Sequence, residues 1–523
     1  MTEPLTLESL AAAEQVIGLE FTPAERELML EGVQKHREQY DMVRAVPLDN
    51  ALPPAFNFDP RLPGMTFSSE RQPLVMSQIE VEVPENLEEV AFWPLTHLAY
   101  LVRTRQVSSI ALTKMYLERL KRHDSTLHCV ITLTEDRALH QARRADDEIA
   151  AGQYRGPLHG IPWGLKDLFA VRGYRTTWGA EPYQEQVLDI DAAVVERLDA
   201  AGAVLIAKLS VGALAWGDVW FGGQTRSPWN TEEGSSGSSA GSAAATAAGL
   251  VGFAIGTETL GSLVSPCTQC RVPGLRPTFG RVSRFGGMSL SWTMDKIGPI
   301  CRTIEDCALV FDAIYGPDGK DPAVTNYPFN WNPDLPLSDL RIGYVVNDFT
   351  QPQDQQSLEV LCSLGLNLLP IDLPNYSKET LDAVVLLLEV EAAAYFDELT
   401  RSNRDDLLTR QIADAWPSVF RQARLIPAVE YVQMNRIRTQ MMLDMVRLME
   451  TVDVYISPSF GENNLILTNL TGHPAVIVPN GLNADGEPSS LTFTGNLYGE
   501  AAVLAVAKCY QDHTEFHQQH PVL

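Results

Sequence analysis

An α/β fold is predicted by three observations: short β-rich apolar runs, helical patterns between several of them, and enough apolar sequence to fill a large core. The runs are GAVLIAK (202–208), VGFAI (251–255), LRIGYVV (340–346), DVYISP (453–458) and PAVIVP (474–479). Each is short and apolar enough for a buried central strand. At 523 residues, 45% of them hydrophobic, the chain suits one oversized domain with extensions or a few smaller ones.

Taken in order, residues from about Thr6 to Val43 alternate apolar and charged positions at helical spacing, and Pro23 precedes AERELMLEGVQKHREQY as a helix start. Residues 1–45 are therefore read as a helical N-terminal extension. Repeated prolines between Arg44 and Pro94 mark 46–90 as an extended arm that wraps the core or crosses to a partner, leaving a homodimer open; a flexible linker is the plainer reading. The core follows over 91–523. Within it, the segment of about 350–450 is expected to be a helical insertion, with LDAVVLLLEVEAAAYFDELTRS and PAVEYVQMNRIRTQMMLDMVRLME. Its methionines 434, 441, 442, 445 and 449 are read as core or interface before substrate lining.

A formal net charge of −26 and a pI near 4.8 disfavour nonspecific binding to nucleic acid or to anionic membranes. The start, MTEPLTLESLAAAEQVIGLEF, carries acids where a signal peptide needs a basic region, and no membrane span is expected. Seven dispersed cysteines suggest a reducing, cytoplasmic setting. Cys267 and Cys270 form C-x-x-C, but no second pair stands at zinc spacing, so buried free thiols are expected and no metal.

The chemistry concentrates in GSSGSSAGSAAATAAGLVGFAIGTETLGS, Gly234 to Ser262, which places Ser238 and Ser262 24 positions apart, with Lys166 upstream in GIPWGLKDL. Ser242 to Leu250 can form a tightly packed helix, and the small residues from Gly256 to Gly261 suit a turn whose N–H groups approach a reacting oxygen. A serine hydroxyl needs an adjacent base to become a nucleophile, and a lysine is that base only when burial or nearby positive charge lowers its pKa. Together these residues point to a serine and lysine hydrolase.

The segments GPLHGIPWGLKD, GAVLIAKLSVGALA, FGGQTRSPWN, GSSAGSAAA, TETLGS, GLRPTFGRVSRFG and MDKIGPICRTIEDC, with DVYISP, NLTGHPAVIVPNG and LTFTGNLYGEAAVLAVA near the C-terminus, resemble the amidase signature family, of bacterial amidase type. The resemblance implies a central mixed β-sheet covered by helices on both faces. It implies a Ser-cisSer-Lys relay in which Lys166 is the base, Ser238 the cis-serine that shuttles the proton, and Ser262 the nucleophile forming an acyl-enzyme. The peptide between Gly237 and Ser238 is expected to be cis, with Gly237 and Ser239 in support. The backbone N–H groups of Thr259, Leu260, Gly261 and Ser262 match the oxyanion loop.

Two departures stand out, because the family has Asp-Thr-Gly-Gly-Ser-Ile-Arg where this chain has Glu258 to Val264. Val264 in place of arginine removes a charge near the site, and Leu260 brings bulk to the hole. The connection between DVYISPSF and NLTGHPAVIVP is also shorter than in many relatives, which would leave the pocket more open. Asp167 is expected to turn away from Lys166 and serve the fold, and Ser239 to cap the Ala-rich helix.

The implied function is hydrolysis of a carboxamide C–N bond, with carbamates and esters accessible to the same nucleophile. The expected partner is a small or medium amide with an uncharged or aromatic acyl part, and no cofactor. A glutaminase-type subunit of a transamidation complex is the alternative, which the long N-terminal extension fits poorly. A binding protein that has lost activity is a third reading, against which Lys166, Ser238 and Ser262 argue. Gly237 to Gly241 also spells G-x-S-x-G around Ser239, with His473 and Asp453 downstream, but polar RSPWNTEEGSS precedes it where a nucleophile elbow needs a strand.

Overall fold

The computed structural model describes residues 4–48 and 52–523; positions 1–3 of the expected extension and 49–51 at the start of the arm lie outside them. Eleven strands form one sheet. In chain order they are β1 (Val130–Leu133), β2 (Pro162–Lys166), β3 (Val204–Leu209), β4 (Phe253–Glu258), β5 (Gly274–Arg276), β6 (Lys296–Ile300), β7 (Ile342–Val345), β8 (Leu368–Ile371), β9 (Val454–Pro458), β10 (Ala475–Leu482) and β11 (Pro488–Gly495). Across the sheet the order is β1-β3-β2-β4-β6-β5-β10-β11-β9-β7-β8. β2 runs parallel to β3 and β4, and β7 parallel to β8 and β9, while the other neighbours are antiparallel. The sheet is thus mixed, with helices on both faces. Every residue of β2, β3 and β6 is buried, as strands covered on both faces require.

All five apolar runs lie on strands, with shifted ends. The turn expected over Gly256 to Gly261 starts later, because Gly256 pairs with Gly298 of β6 and the ladder continues to Glu258; antiparallel pairing overrides the local preference of a glycine for turns. The Ala-rich segment is a buried helix, Ala240–Ala247.

Helices Leu7–Ile17 and Pro23–Arg44 form an N-terminal pair, each opened by a threonine capping box at Thr6 or Thr22. Arg26 Nη2 meets Glu14 Oε2 at 2.7 Å between them. The longer helix buries none of its residues. The proline-rich arm beyond it lies along the core. Ser77 donates to Glu305 through N–H and Oγ at 2.8 and 2.7 Å, and Val75 N–H donates to Trp331 O. Phe58 meets Phe279 edge-on at 5.1 Å and Phe67 meets Tyr498 at 4.7 Å.

The segment of about 350–450 contains helices Pro352–Ser363, Lys378–Tyr395, Asp397–Arg401, Trp416–Ala423 and Ala428–Met449, and it also supplies β8 at the sheet edge. All five methionines of this segment singled out by spacing are buried, in the packing between the last of these helices and its neighbours. Buried Glu391 ties this layer to the loop before β6, accepting from Ser291 Oγ at 2.6 Å and Thr293 Oγ1 at 2.8 Å.

Candidate active site

Lys166 ends β2 with its side chain fully buried, and Ser238 sits just before helix Ala240–Ala247. Ser262 lies in the loop after β4. Lys166 Nζ is 2.8 Å from Ser238 Oγ, and Ser238 Oγ is 3.0 Å from Ser262 Oγ. The Gly237–Ser238 peptide is cis. A β-carbon on Gly237 would stand 1.9 Å from Gly217 O, so no side chain fits there. Exposure rises along the chain of contacts, 0% at Lys166, 1% at Ser238 and 8% at Ser262. Only the last can meet a ligand.

Two further oxygens crowd the amine. Ser239 Oγ lies 3.0 Å and Thr257 Oγ1 2.7 Å from Nζ. Ser239 forms no side-chain cap on the helix it precedes; instead Thr257 N–H donates to its Oγ and its Oγ donates to Thr257 O, both at 3.1 Å. The capping expected of Ser239 is thereby corrected, because the strand and the lysine compete for the same oxygen. Thr257 itself was invisible to motif reasoning. Burial pushes the Lys166 ammonium well below the usual lysine range, against the opposing pull of Asp295 and Glu258. Asp167 turns away from Lys166, meeting Lys208 Nζ at 2.6 Å and accepting Thr177 N–H and Thr177 Oγ1.

The loop Thr259–Ser262 is anchored at both ends. Thr259 Oγ1 donates to Asp295 Oδ1 at 2.6 Å. Behind the loop, Glu258 Oε2 accepts the N–H groups of Leu263 and Val264 at 2.8 and 3.0 Å, while its Oε1 meets Arg276 Nη1 at 2.7 Å and Asn469 Nδ2 at 2.8 Å. Burial opposes the Glu258 charge, but Arg276 and the amide donors outweigh it and hold the carboxyl at about 2. A buried cation thus stands beside the loop despite Val264. It comes from β5, whereas Val264 faces the apolar core. Gly261 takes φ +84°, a left-handed conformation that suits glycine. Among the described residues, the N–H groups of Thr259, Leu260, Gly261 and Ser262 have no acceptor within the protein.

These groups open on a cleft of about 420 Å³ lined by Ser262, Thr259 and Leu260, with Trp216, Leu388 and Trp416 among its walls. Non-glycine residues Ala215 (φ 64°) and Ser236 (φ 58°) adopt left-handed backbone at its rim, a conformation that clusters at ligand sites. Within the connection from DVYISPSF to NLTGHPAVIVP, Leu465 of helix Asn464–Thr471 packs against Gly261.

The elbow alternative finds no geometry. His473 Nδ1 pairs with Thr471 Oγ1 at 2.8 Å, burial holds its imidazole at about 3, and Asp453 pairs with Arg341. Cys267 and Cys270 are buried free thiols. Among the described residues no cluster of three or more His, Cys, Asp or Glu is placed to hold a metal, and no helix is long and apolar enough to cross a membrane.

The amidase family model matches residues 111–504. The chain belongs to the amidase signature family. Members of this family are enzymes acting on C–N bonds, and the likenesses of this chain span several kinds. It is 32% identical over 480 residues to a glutamyl-tRNA(Gln) amidotransferase subunit of Marinomonas sp. (strain MWYL1), covering 82% of this chain and 98% of that protein. The native peptide amidase of Stenotrophomonas maltophilia shares the fold at a TM-score of 0.72 with 29% identity, covering 82% and 98% of the two chains. An amidase family protein of Bacillus anthracis str. Ames superposes at 0.74 with 26% identity, covering 83% and 93%.

Proposed function

We propose that this amidase signature enzyme is an amidohydrolase that cleaves a carboxamide C–N bond through an acyl-enzyme on Ser262, the same nucleophile serving carbamates and esters. The observation that carries this reading is the continuous path of contacts from buried Lys166 Nζ through Ser238 Oγ to Ser262 Oγ at the cleft. Its direction follows from counting hydrogens. A neutral amine has two N–H donors and one lone pair. Ser239 gives its proton to Thr257 O, so it accepts one N–H, and Thr257 Oγ1 accepts the other. Once Ser238 turns its proton from Ser262 Oγ, to which it donates at rest, the lone pair is open to it. A charged ammonium would donate to all three oxygens and leave no base.

In the reaction, Ser262 Oγ bonds to the carbonyl carbon as its proton passes to Ser238 Oγ and the Ser238 proton passes to Lys166. The carbonyl electron pair moves onto oxygen, where the N–H groups of Thr259, Leu260, Gly261 and Ser262 stabilise it by roughly 3 kcal/mol per well-placed donor. Collapse breaks the C–N bond, and the departing nitrogen takes the proton back through the relay. Water, deprotonated along the same path, hydrolyses the ester and restores Ser262.

The curated relatives favour a second reading, a glutaminase-type component of a transamidation complex. Against it, about a fifth of this chain lies outside the match to the Marinomonas amidotransferase. The test is a screen of anilides, aliphatic amides, carbamates, esters and glutamine with the purified chain and with Ser262→Ala. Hydrolysis of an amide by the chain alone, lost in the variant, is the expected result. Activity confined to glutamine and to a copurifying partner establishes the second reading, and near-normal turnover by Ser262→Ala defeats both.

A further inference from the structure

Two carboxylates line the cleft that the relay leaves unused. Glu389, on helix Lys378–Tyr395, is half-buried in its wall, and Asp414, just before helix Trp416–Ala423, lies exposed. Among the described residues neither forms an ion pair or a side-chain hydrogen bond, although half-buried Glu148 and Asp321 each meet an arginine. Burial alone pushes the Glu389 carboxyl up. Arg410 lies over the Trp216 ring at 4.7 Å from its centroid, but forms no ion pair with Glu389 or Asp414 and is outside the cleft lining. Trp216 and Trp416 stand 5.4 Å apart, ring to ring.

A desolvated carboxylate without a counter-ion is unfavourable by itself, and an entering cation corrects the imbalance. Trp416, in the same lining, offers the cation an indole. A net charge of −26 draws cations toward the molecule as a whole. On these grounds we propose that the cleft selects amides bearing an ammonium or amidinium group beyond an apolar or aromatic spacer, with Glu389 as the specificity-determining residue and Asp414 nearer the solvent. This adds a cationic group to the amide with an uncharged or aromatic acyl part expected from sequence, and it rests on the amidohydrolase reading of the same site.

The test compares the anilides of γ-aminobutyric acid and pentanoic acid with glutaric acid monoanilide, and the aminopropyl with the butyl amide of benzoic acid, so that the charge lies on either side of the carbonyl. The wild type is expected to favour a cationic member over its neutral isostere by at least about tenfold in kcat/KM. Glu389→Gln removes that preference, chiefly through a raised KM for the cationic member; Glu389→Asp keeps part of it. Calorimetry on Ser262→Ala reads the same preference as binding, without turnover. If no amide is cleaved yet Ser262→Ala binds the cationic member preferentially and Ser262→Ala/Glu389→Gln does not, the amidohydrolase reading fails and the selectivity stands. Equal handling of cationic and neutral members, preference for the anionic monoanilide, or loss of both activities alike in Glu389→Gln and Glu389→Asp overturns the proposal.

Discussion

Lys166 shares its amine among three hydroxyls, and the protonation state of that amine governs the proposed rate. Because burial lowers its pKa, the neutral, basic form grows as pH rises through that pKa, and turnover should rise with it to a plateau. Lys166→Ala is expected to lose more rate at neutral than at high pH, where hydroxide partly replaces the base; an unchanged pH–rate profile would count against the relay. Thr257→Val removes one of the three oxygens and leaves an N–H of the amine unpaired. A loss of about 1–3 kcal/mol corresponds to a roughly 5- to 150-fold drop in kcat, measured alongside circular dichroism to show that the fold persists. Ser262→Ala should retain the fold and lose reaction with a fluorophosphonate probe.

At the scale of elements, β4, β5 and helix Asn464–Thr471 converge on Glu258, whose carboxylate holds the back of the Thr259–Ser262 loop. Its carboxyl lies at about 2 in the folded chain and near the ordinary glutamate value when unfolded. The unfolded state therefore binds the extra proton. Stability from this group is fully present above the unfolded pKa and is lost as pH falls from about 5 to 2, on the order of 3 kcal/mol in all. Melting temperature plotted against pH should fall more steeply in this window for the wild type than for Glu258→Gln, and parallel curves would refute the linkage. Arg276→Met leaves a buried carboxylate without its cation and should destabilise the chain by about 3–5 kcal/mol, read by denaturant unfolding.

Across the whole molecule, the N-terminal helices and the arm differ in what they hold. The helix Pro23–Arg44 buries no residue, so deletion of residues 1–45 should leave activity and melting temperature nearly unchanged. The arm places Phe58 under the Arg438 guanidinium, 3.6 Å from its ring centroid, and Arg438 in turn donates to Thr293. Deletion of residues 1–86 removes that clamp along with the Phe67 and Ser77 contacts. Phe58 and Phe67 are half-buried, so with the Ser77 and Arg438 contacts the longer deletion should cost a few kcal/mol and lower the melting temperature by roughly 2–5 °C. Scanning calorimetry of the two truncations separates these outcomes.

The fold class and the meeting of Lys166, Ser238 and Ser262 were legible in the sequence through apolar runs of strand length, a Gly-Ser segment before an Ala-rich helix, a lysine after a buried run, and the resemblance of these segments to a known family. The end of β4, Gly256 to Glu258, was read as turn because the pairing of Gly256 with Gly298 is not a local property. Thr257, 91 positions from Lys166, became visible only when the sheet placed β4 beside β2, and Arg276, the cation that stands beside the loop despite Val264, only when the sheet set β5 one strand away from β4. Cleft selectivity was further out of reach. Whether a carboxylate such as Glu389 is neutralised or left to bind a ligand depends on which side chains surround it, and those come from loops and helices that only the packed tertiary structure brings together.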